Sequence, residues 1–464
     1  MVFSSVVFLF AFLPVTFCAN YFLPVKWSNR FLLLASLVFY AWGEPLFVFV
    51  MTAVILINWV CGLRIGKTEG PGKKGWLCAA VILDLSLLFC FKYLSFLSDS
   101  LNRILGRELL RVPEIALPIG ISFFTFQAIS YVADVYRGKA AASDKPVDTA
   151  LYIAFFPQLI AGPIIQYQDV SGQIRSRVIT PDGISDGFRR FIFGLSKKVL
   201  IANVLGRSAD TVFALPASAL DPRAAWIGAL AYAFQIYYDF SGYSDMAIGL
   251  GKMFGFTFRE NFSDPYLSAS VSEFWRRWHI SLGAWFREYV YIPLGGNRKG
   301  RARTLLHLAV VFLLTGLWHG ANVTFLVWGA YHGCFVILER LGVGSRLRKI
   351  YPLSLLCCFL TVTLGWVLFR SPDLLFAVRY LARMLLPWRY SGNAVPLPSF
   401  LSLKTAAVFA FAVLGAGPLR FLPASVQSGW KHSAAEACFC AAALILSIAA
   451  IAGDTYNPFI YFQF

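Results

Sequence analysis

Charge is scarce in this sequence. Asp, Glu, Lys and Arg make up 14% of 464 residues, while 58% are hydrophobic. A soluble domain carries about a quarter charged and a little under half apolar residues. Too little polar surface is available to cover a water-facing globule of this size, so lipid is the solvent the composition calls for. Acidic residues are scarcer still, 24 against 41 Lys and Arg, giving a net charge of +17. In a soluble chain that excess would suggest nucleic acid. Here the basic residues sit in short segments between long apolar runs, as at Arg64, Lys67, Lys73 and Lys74. No segment joins a basic stripe to exposed aromatics in a folded soluble context, which argues against nucleic-acid binding. The pattern is that of cytoplasmic loops held by the positive-inside rule.

Several motifs are missing. The sequence has no phosphate-binding P-loop, HExxH, GxSxG or dinucleotide glycine pattern, so ATP-driven, zinc-protease and serine-hydrolase chemistries are excluded. No period of 20–50 residues repeats, which argues against a solenoid, and β-barrel alternation is lacking. The nine cysteines fall almost entirely in apolar runs (Cys18, Cys78, Cys90, Cys334, Cys357, Cys358), where a thiol packs as a small hydrophobe. Cys438 and Cys440 are too close and too isolated to build a zinc site, so neither a disulfide framework nor a metal is expected. The first apolar run, Val2 to Val25, lacks a basic leader and is followed at once by another, so a retained helix is expected rather than a cleaved signal.

What is present is a succession of apolar stretches near the roughly 20 residues that cross a bilayer. They fall at 3–25, 31–42 with 45–63, 76–98, 115–136, 148–166, 187–206, 223–254, 302–320, 321–341, 351–370, 401–423 and 434–452. The reading is an all-α, multi-pass membrane protein forming one integral-membrane domain over 1–464. It has about 11 transmembrane or re-entrant helices, the shorter ones re-entrant. Polar linkers at 64–75 and 137–147 interrupt the rhythm, and 258–303 forms a longer polar and aromatic insertion. Within that insertion Trp275 to Tyr289 reads as an amphipathic helix, part of an interfacial segment at about 270–292. Trp275, Trp278, Leu282, Trp285, Phe286 and Tyr289 share one face; Arg276, Arg277, Ser281, Arg287 and Glu288 share the other. Ser270 and Glu273 have capping-box spacing, and Pro293, Gly295, Gly296 and Asn297 stop the helix.

Histidine is also rare: His279, His307, His319, His332 and His432. An ionisable side chain inside a membrane is costly and is read as functional by default. His319 lies in V-V-F-L-L-T-G-L-W-H-G-A with no carboxylate or lysine nearby in sequence, so burial favours a neutral imidazole. Such an imidazole can accept a proton from a hydroxyl, as acyl transfer to an alcohol requires. The competing reading is packing, because Gly316 and Gly320 form a GxxxG pair. His279 lies at the border of the two faces, beside Arg276 and Arg277, and either joins a site or binds headgroups. His307 reads as interfacial, and His332 and His432 have no supporting context. The run Tyr237-Tyr238-Asp239-Phe240-Ser241-Gly242-Tyr243-Ser244-Asp245 puts two carboxylates inside an apolar block. They must face a cavity or one another, as a proton path or as a polar scaffold.

Five stretches together carry a family resemblance: Phe155 to Ile164 (FFPQLIAGPI), Tyr237 to Gly249 (YYDFSGYSDMAIG), Asn261 to Tyr266 (NFSDPY), Phe274 to Leu282 (FWRRWHISL) and Gly316 to Ala321 (GLWHGA). The chain resembles the membrane-bound O-acyltransferases, within them the bacterial branch that includes the membrane subunit of alginate O-acetyltransferase. The motif core spans about 115–341. The resemblance implies helices around a central tunnel in the bacterial cytoplasmic membrane, with His319 as the acyl-transfer base and His279 as a second tunnel residue. It places Trp318, Asp239, Tyr238, Asn261, Arg277 and Trp278 along the substrate path. It implies acetyl-CoA as donor substrate with no permanently bound cofactor and no metal. The acceptor would be an extracytoplasmic polysaccharide, reached directly or through a periplasmic or cell-surface SGNH-type partner. D-Alanyl transfer to teichoic acid from a carrier protein is the competing branch. A transporter is a further alternative, although paired broken helices in inverted repeats are absent, as is a structural scaffold for polysaccharide export.

Overall fold

The computed structural model describes the chain except residues 109–111, 113, 114, 217, 347, 348, 418–433, 455 and 459–464. His432 lies outside the described residues. The described residues form helices joined by turns and loops, with no strand among them, and divide into two compact units.

The first unit comprises 1–191 and 244–260. Its helices are α1 (Leu13–Tyr21), α2 (Val25–Ala41), α3 (Phe47–Lys67), α4 (Pro71–Lys92), α5 (Leu94–Leu105), α6 (Ile121–Tyr136), α7 (Pro146–Ala154), α8 (Phe156–Leu159) and α9 (Tyr167–Arg175). Every residue of α6 from Ile121 to Val135 is buried, although it carries Ser, Thr, Gln and Asp. Gly62 of α3 lets the two helices close, since a Cβ there would overlap the Tyr131 ring. The apolar stretch 148–166 does not form a single span. The backbone turns out of the helix at Phe155 (φ −58°, ψ 116°), Pro157 restarts it as α8, and the Phe156 N–H donates to Ser36 Oγ at 3.1 Å.

Two helices contribute to both units: α10 (Pro181–Ser196) and the 32-residue α12 (Pro222–Met253). The second unit comprises 192–243 and 261–464. It adds a π-helical turn at Lys197–Ala202, α11 (Asn203–Phe213), α13 (Val271–Arg277), α14 (Ile280–Phe286), α15 (Ile292–Leu294), α16 (Arg301–His319), α17 (Val323–Arg340), α18 (Tyr351–Arg370), α19 (Leu374–Leu385), α20 (Leu403–Gly415) and α21 (Ala434–Gly453). Among the described residues five helices, α3, α4, α16, α18 and α21, are long and apolar enough to cross a bilayer.

The tightest helix pair in this unit is α16 with α17. A Cβ on Gly316 would overlap the Phe325 carbonyl oxygen, and Gly329 meets Phe312 and Gly316 from the opposite side. Small residues let backbones meet where water gives no driving force for association. The packing role read for Gly316 is therefore real, and it coexists with whatever His319 does.

Candidate functional site

The amphipathic segment begins as its capping box specifies. Ser270 Oγ accepts the Glu273 N–H at 3.1 Å, and Glu273 Oε2 accepts the Ala269 N–H at 2.9 Å. A second carboxylate holds the same end: Glu339 of α17 accepts the N–H groups of Val271 (2.7 Å) and Ser272 (2.9 Å). Negative charge on otherwise unpaired first-turn N–H groups stabilises the helix start.

The helix does not run on to Tyr289. It breaks at Trp278 and His279, and His279 adopts the left-handed region (φ 46°, ψ 52°), one of two described non-glycine residues with positive φ. Such a conformation costs about 1 kcal/mol or more and persists where its surroundings enforce it. Asn261 enforces it. Its carbonyl accepts the Ile280 N–H at 3.0 Å. Its side-chain Oδ1 accepts the Ser281 N–H at 3.2 Å and the Ser281 hydroxyl at 2.9 Å. The backbone donor identifies that atom as the amide oxygen, so His279 Nδ1, 3.2 Å away, donates its proton to it. The remaining nitrogen, Nε2, is the basic one. It is buried with no hydrogen-bond partner among the described residues. Burial pushes the imidazole pKa down to about 3, so the ring is neutral at pH 7.

His319 is the last residue of α16. Gly320 follows in extended backbone (φ −178°, ψ 156°), where a Cβ would overlap the Phe325 ring. Asn322 then caps α17, accepting the Thr324 N–H at 3.0 Å. The W-H-G-A-N stretch is thus the turn between the paired helices. His319 is buried among rings, with centroids 4.8 Å from Trp318, 5.1 Å from Trp328 and 5.1 Å from Phe369. Trp318 also meets His279, at 6.0 Å, and Phe240 packs edge-on to His279 at 4.6 Å. Two histidines forty residues apart in sequence therefore share one indole.

The other residues singled out from the sequence divide. Asn261 and Trp318 join the histidines. Trp278 lies in the adjoining aromatic cluster, 4.8 Å from Trp366 and 5.0 Å from Phe262. Arg277 pairs with Glu273 at 2.7 Å, and the Tyr238 hydroxyl donates to the Ala412 carbonyl at 2.7 Å. The two carboxylates of the Tyr237–Asp245 run each meet a cation. In the second unit Asp239 lies 2.6 Å from Lys198; in the first, Asp245 lies 2.8 Å from Arg190, which also holds Glu260. His307 is buried, its Nδ1 donating to the Gly296 carbonyl at 2.9 Å, because the glycine turn after α15 folds back onto α16.

The sequence reading missed two groups. Lys198 sits in the π-helical turn, a local irregularity no pattern announces, and is almost fully buried with Asp239. Removing one member of a buried ion pair is strongly destabilising, because the other loses its close opposite charge. Lys198→Met should therefore cost about 3–5 kcal/mol, and Lys198→Met/Asp239→Leu should recover most of it. Thermal unfolding in detergent measures both; a double variant as unstable as the single one would refute the pairing. The second missed group is His332. It is fully buried, its ring 5.1 Å from Trp275 and 5.2 Å from Trp328, with neither nitrogen hydrogen-bonded among the described residues. Trp328 stands between it and His319. The signal was W-G-A-Y-H-G, where Trp328 and His332 share a helix face and Gly329 and Gly333 allow close packing.

Comparison with known proteins identifies the family. Residues 120–346 match the family model of the membrane-bound O-acyltransferases. The chain is 43% identical to an alginate O-acetylase of Azotobacter vinelandii over the full length of both proteins. It is 36% identical to a peptidoglycan O-acetyltransferase of Helicobacter pylori, covering 83% of this chain and 80% of that protein. A teichoic acid D-alanyltransferase of Bacillus subtilis matches at 27% over 57% of this chain and 68% of its own. The chain belongs to the membrane-bound O-acyltransferase family, and it is a polytopic membrane enzyme that transfers acyl groups to oxygen.

Proposed function

We propose that this enzyme takes an acetyl group from a cytoplasmic thioester, acetyl-CoA, and passes it toward hydroxyls of an extracytoplasmic polysaccharide. The observation that carries the reading is the pair of buried imidazoles, His279 and His319, on one indole, Trp318. Neutral His319 takes the proton of the acceptor hydroxyl as its oxygen attacks the thioester carbonyl. The tetrahedral centre collapses, the carbon–sulfur bond breaks, and the thiolate takes the proton back from the imidazolium. His279, fixed by Asn261 with Nε2 as its basic nitrogen, is the second site imidazole; its ring orders the donor or shares the proton.

Acetyl is preferred over D-alanyl because the relatives matching along most of their length are named for O-acetyl transfer, while the D-alanyl match is partial. The acceptor that leaves the membrane is the polymer itself or the serine of an SGNH-type partner, and the enzyme resides in the cytoplasmic membrane of a bacterium. Purified enzyme in liposomes, supplied with acetyl-labelled CoA, should release CoA and transfer label to a polysaccharide or partner serine on the far side. Transfer from a D-alanyl carrier-protein thioester, with none from acetyl-CoA, would overturn the assignment.

A further inference from the structure

The four described histidines all lie outside the first unit, yet that unit contains a built cleft of about 730 Å³. Its walls come from the start of α2 (Val25, Lys26, Asn29, Arg30), the chain entering α7 (Ser143 to Asp148) and the end of α9 (Ile174, Arg175). Asn29 fastens these walls together. It is buried; its Nδ2 donates to the Ile174 carbonyl at 2.8 Å and to Asp148 at 3.4 Å, and its Oδ1 accepts from Arg177 at 2.5 Å. Arg177 is in turn held by Ser28 at 2.6 Å and by the Phe254 carbonyl at 3.1 Å.

Four exposed cations line the cleft, Lys26, Arg30, Lys145 and Arg175, against the two carboxylates Asp144 and Asp148. None of the four makes an ion pair among the described residues. Elsewhere in the same unit the guanidinium groups of Arg189, Arg190 and Arg259 are all paired with carboxylates. The first turns of α2 and α7, which open on the cleft, have no side-chain cap and add partial positive charge.

The surroundings fix the depth. Trp59 of α3 donates to the Ser143 carbonyl at 3.0 Å, tying the cleft to the end of α3 that carries Arg64 and Lys67. That is the end the positive-inside rule assigns to the cytoplasm. Beside the cleft, Phe22 is 82% and Trp27 54% exposed, with the Arg30 guanidinium 4.8 Å over the Trp27 ring. Exposed aromatics next to basic side chains mark the boundary between hydrocarbon and headgroups.

We propose that this cleft binds the phosphodiester headgroup of an acidic phospholipid from the cytoplasmic leaflet. The proposal stands apart from the acyl-transfer reading. Native mass spectrometry of the whole protein in detergent, titrated with phosphatidylglycerol or with phosphatidylcholine of the same chains, tests it. The wild type should retain phosphatidylglycerol at concentrations where phosphatidylcholine is lost. Arg30→Gln/Lys145→Gln, which alters only exposed side chains that make no ion pair among the described residues, should weaken that retention by at least about tenfold. The control Arg298→Gln/Lys299→Gln removes the same charge elsewhere and should behave as wild type. Equal retention of both lipids, an unaffected double variant, or a control as weak as the cleft variant would overturn the proposal. Displacement by millimolar glycerol phosphate would assign the cleft to a soluble phosphate instead of a lipid.

Discussion

His319→Gln is expected to lower acyl transfer by about 10²–10⁴-fold while leaving the protein assembled. Glutamine keeps a polar group of similar reach at the end of α16 but has no nitrogen basic enough to take a hydroxyl proton. The surrounding rings keep contacts of their own: Trp328 packs on Phe369 at 5.0 Å and Trp318 meets His279 at 6.0 Å. Size-exclusion behaviour and thermal unfolding should therefore match wild type. Initial rates of labelled acetyl transfer, compared at equal amounts of folded enzyme, measure the effect. Activity within a few-fold of wild type would leave His319 as a packing residue and move the base elsewhere, with His279 next to be tried.

Gly316→Ala is expected to do the opposite: little assembled protein to assay. The new methyl group would overlap the Phe325 carbonyl oxygen and crowd the Cα of Gly329. Both are backbone, so neither can swing aside, and α16 and α17 would have to separate. Overpacking of this kind costs about 3 kcal/mol or more. Gly333→Ala, whose methyl would meet the Phe312 side chain at 3.0 Å, should be milder. Fluorescence-detected size exclusion of tagged variants gives the comparison; equal monodisperse yields of Gly316→Ala and wild type would show that the pair is not as closely set as described.

Much of this architecture was legible because lipid imposes simple rules. Long apolar runs such as Phe47–Lys67 and Tyr351–Arg370 could only be helices, and Ser270 with Glu273 announced a helix start. His319 stood out because nothing polar surrounds it in sequence. Harder to read were features created by tertiary contact. The break at His279 keeps the amphipathic phase of the flanking turns, so periodicity ran straight through it; only the Asn261 hydrogen bonds make it visible. Lys198 looked like an ordinary basic residue beside Lys197, because its partner Asp239 lies forty-one positions away. His332 was passed over because no motif or supporting context in the sequence singled it out, whereas in space it shares the Trp328 ring with His319.

One helix, α17, measures out the spacing of the whole centre. Near its beginning Phe325 and Trp328 press against the turn that carries His319, and at its far end Glu339 grips the start of the segment leading to His279. A residue added to or taken from this rod would rotate and shift both anchors at once. The distance between the two imidazoles is thereby written into the length of a single element, leaving the loops around it free to vary.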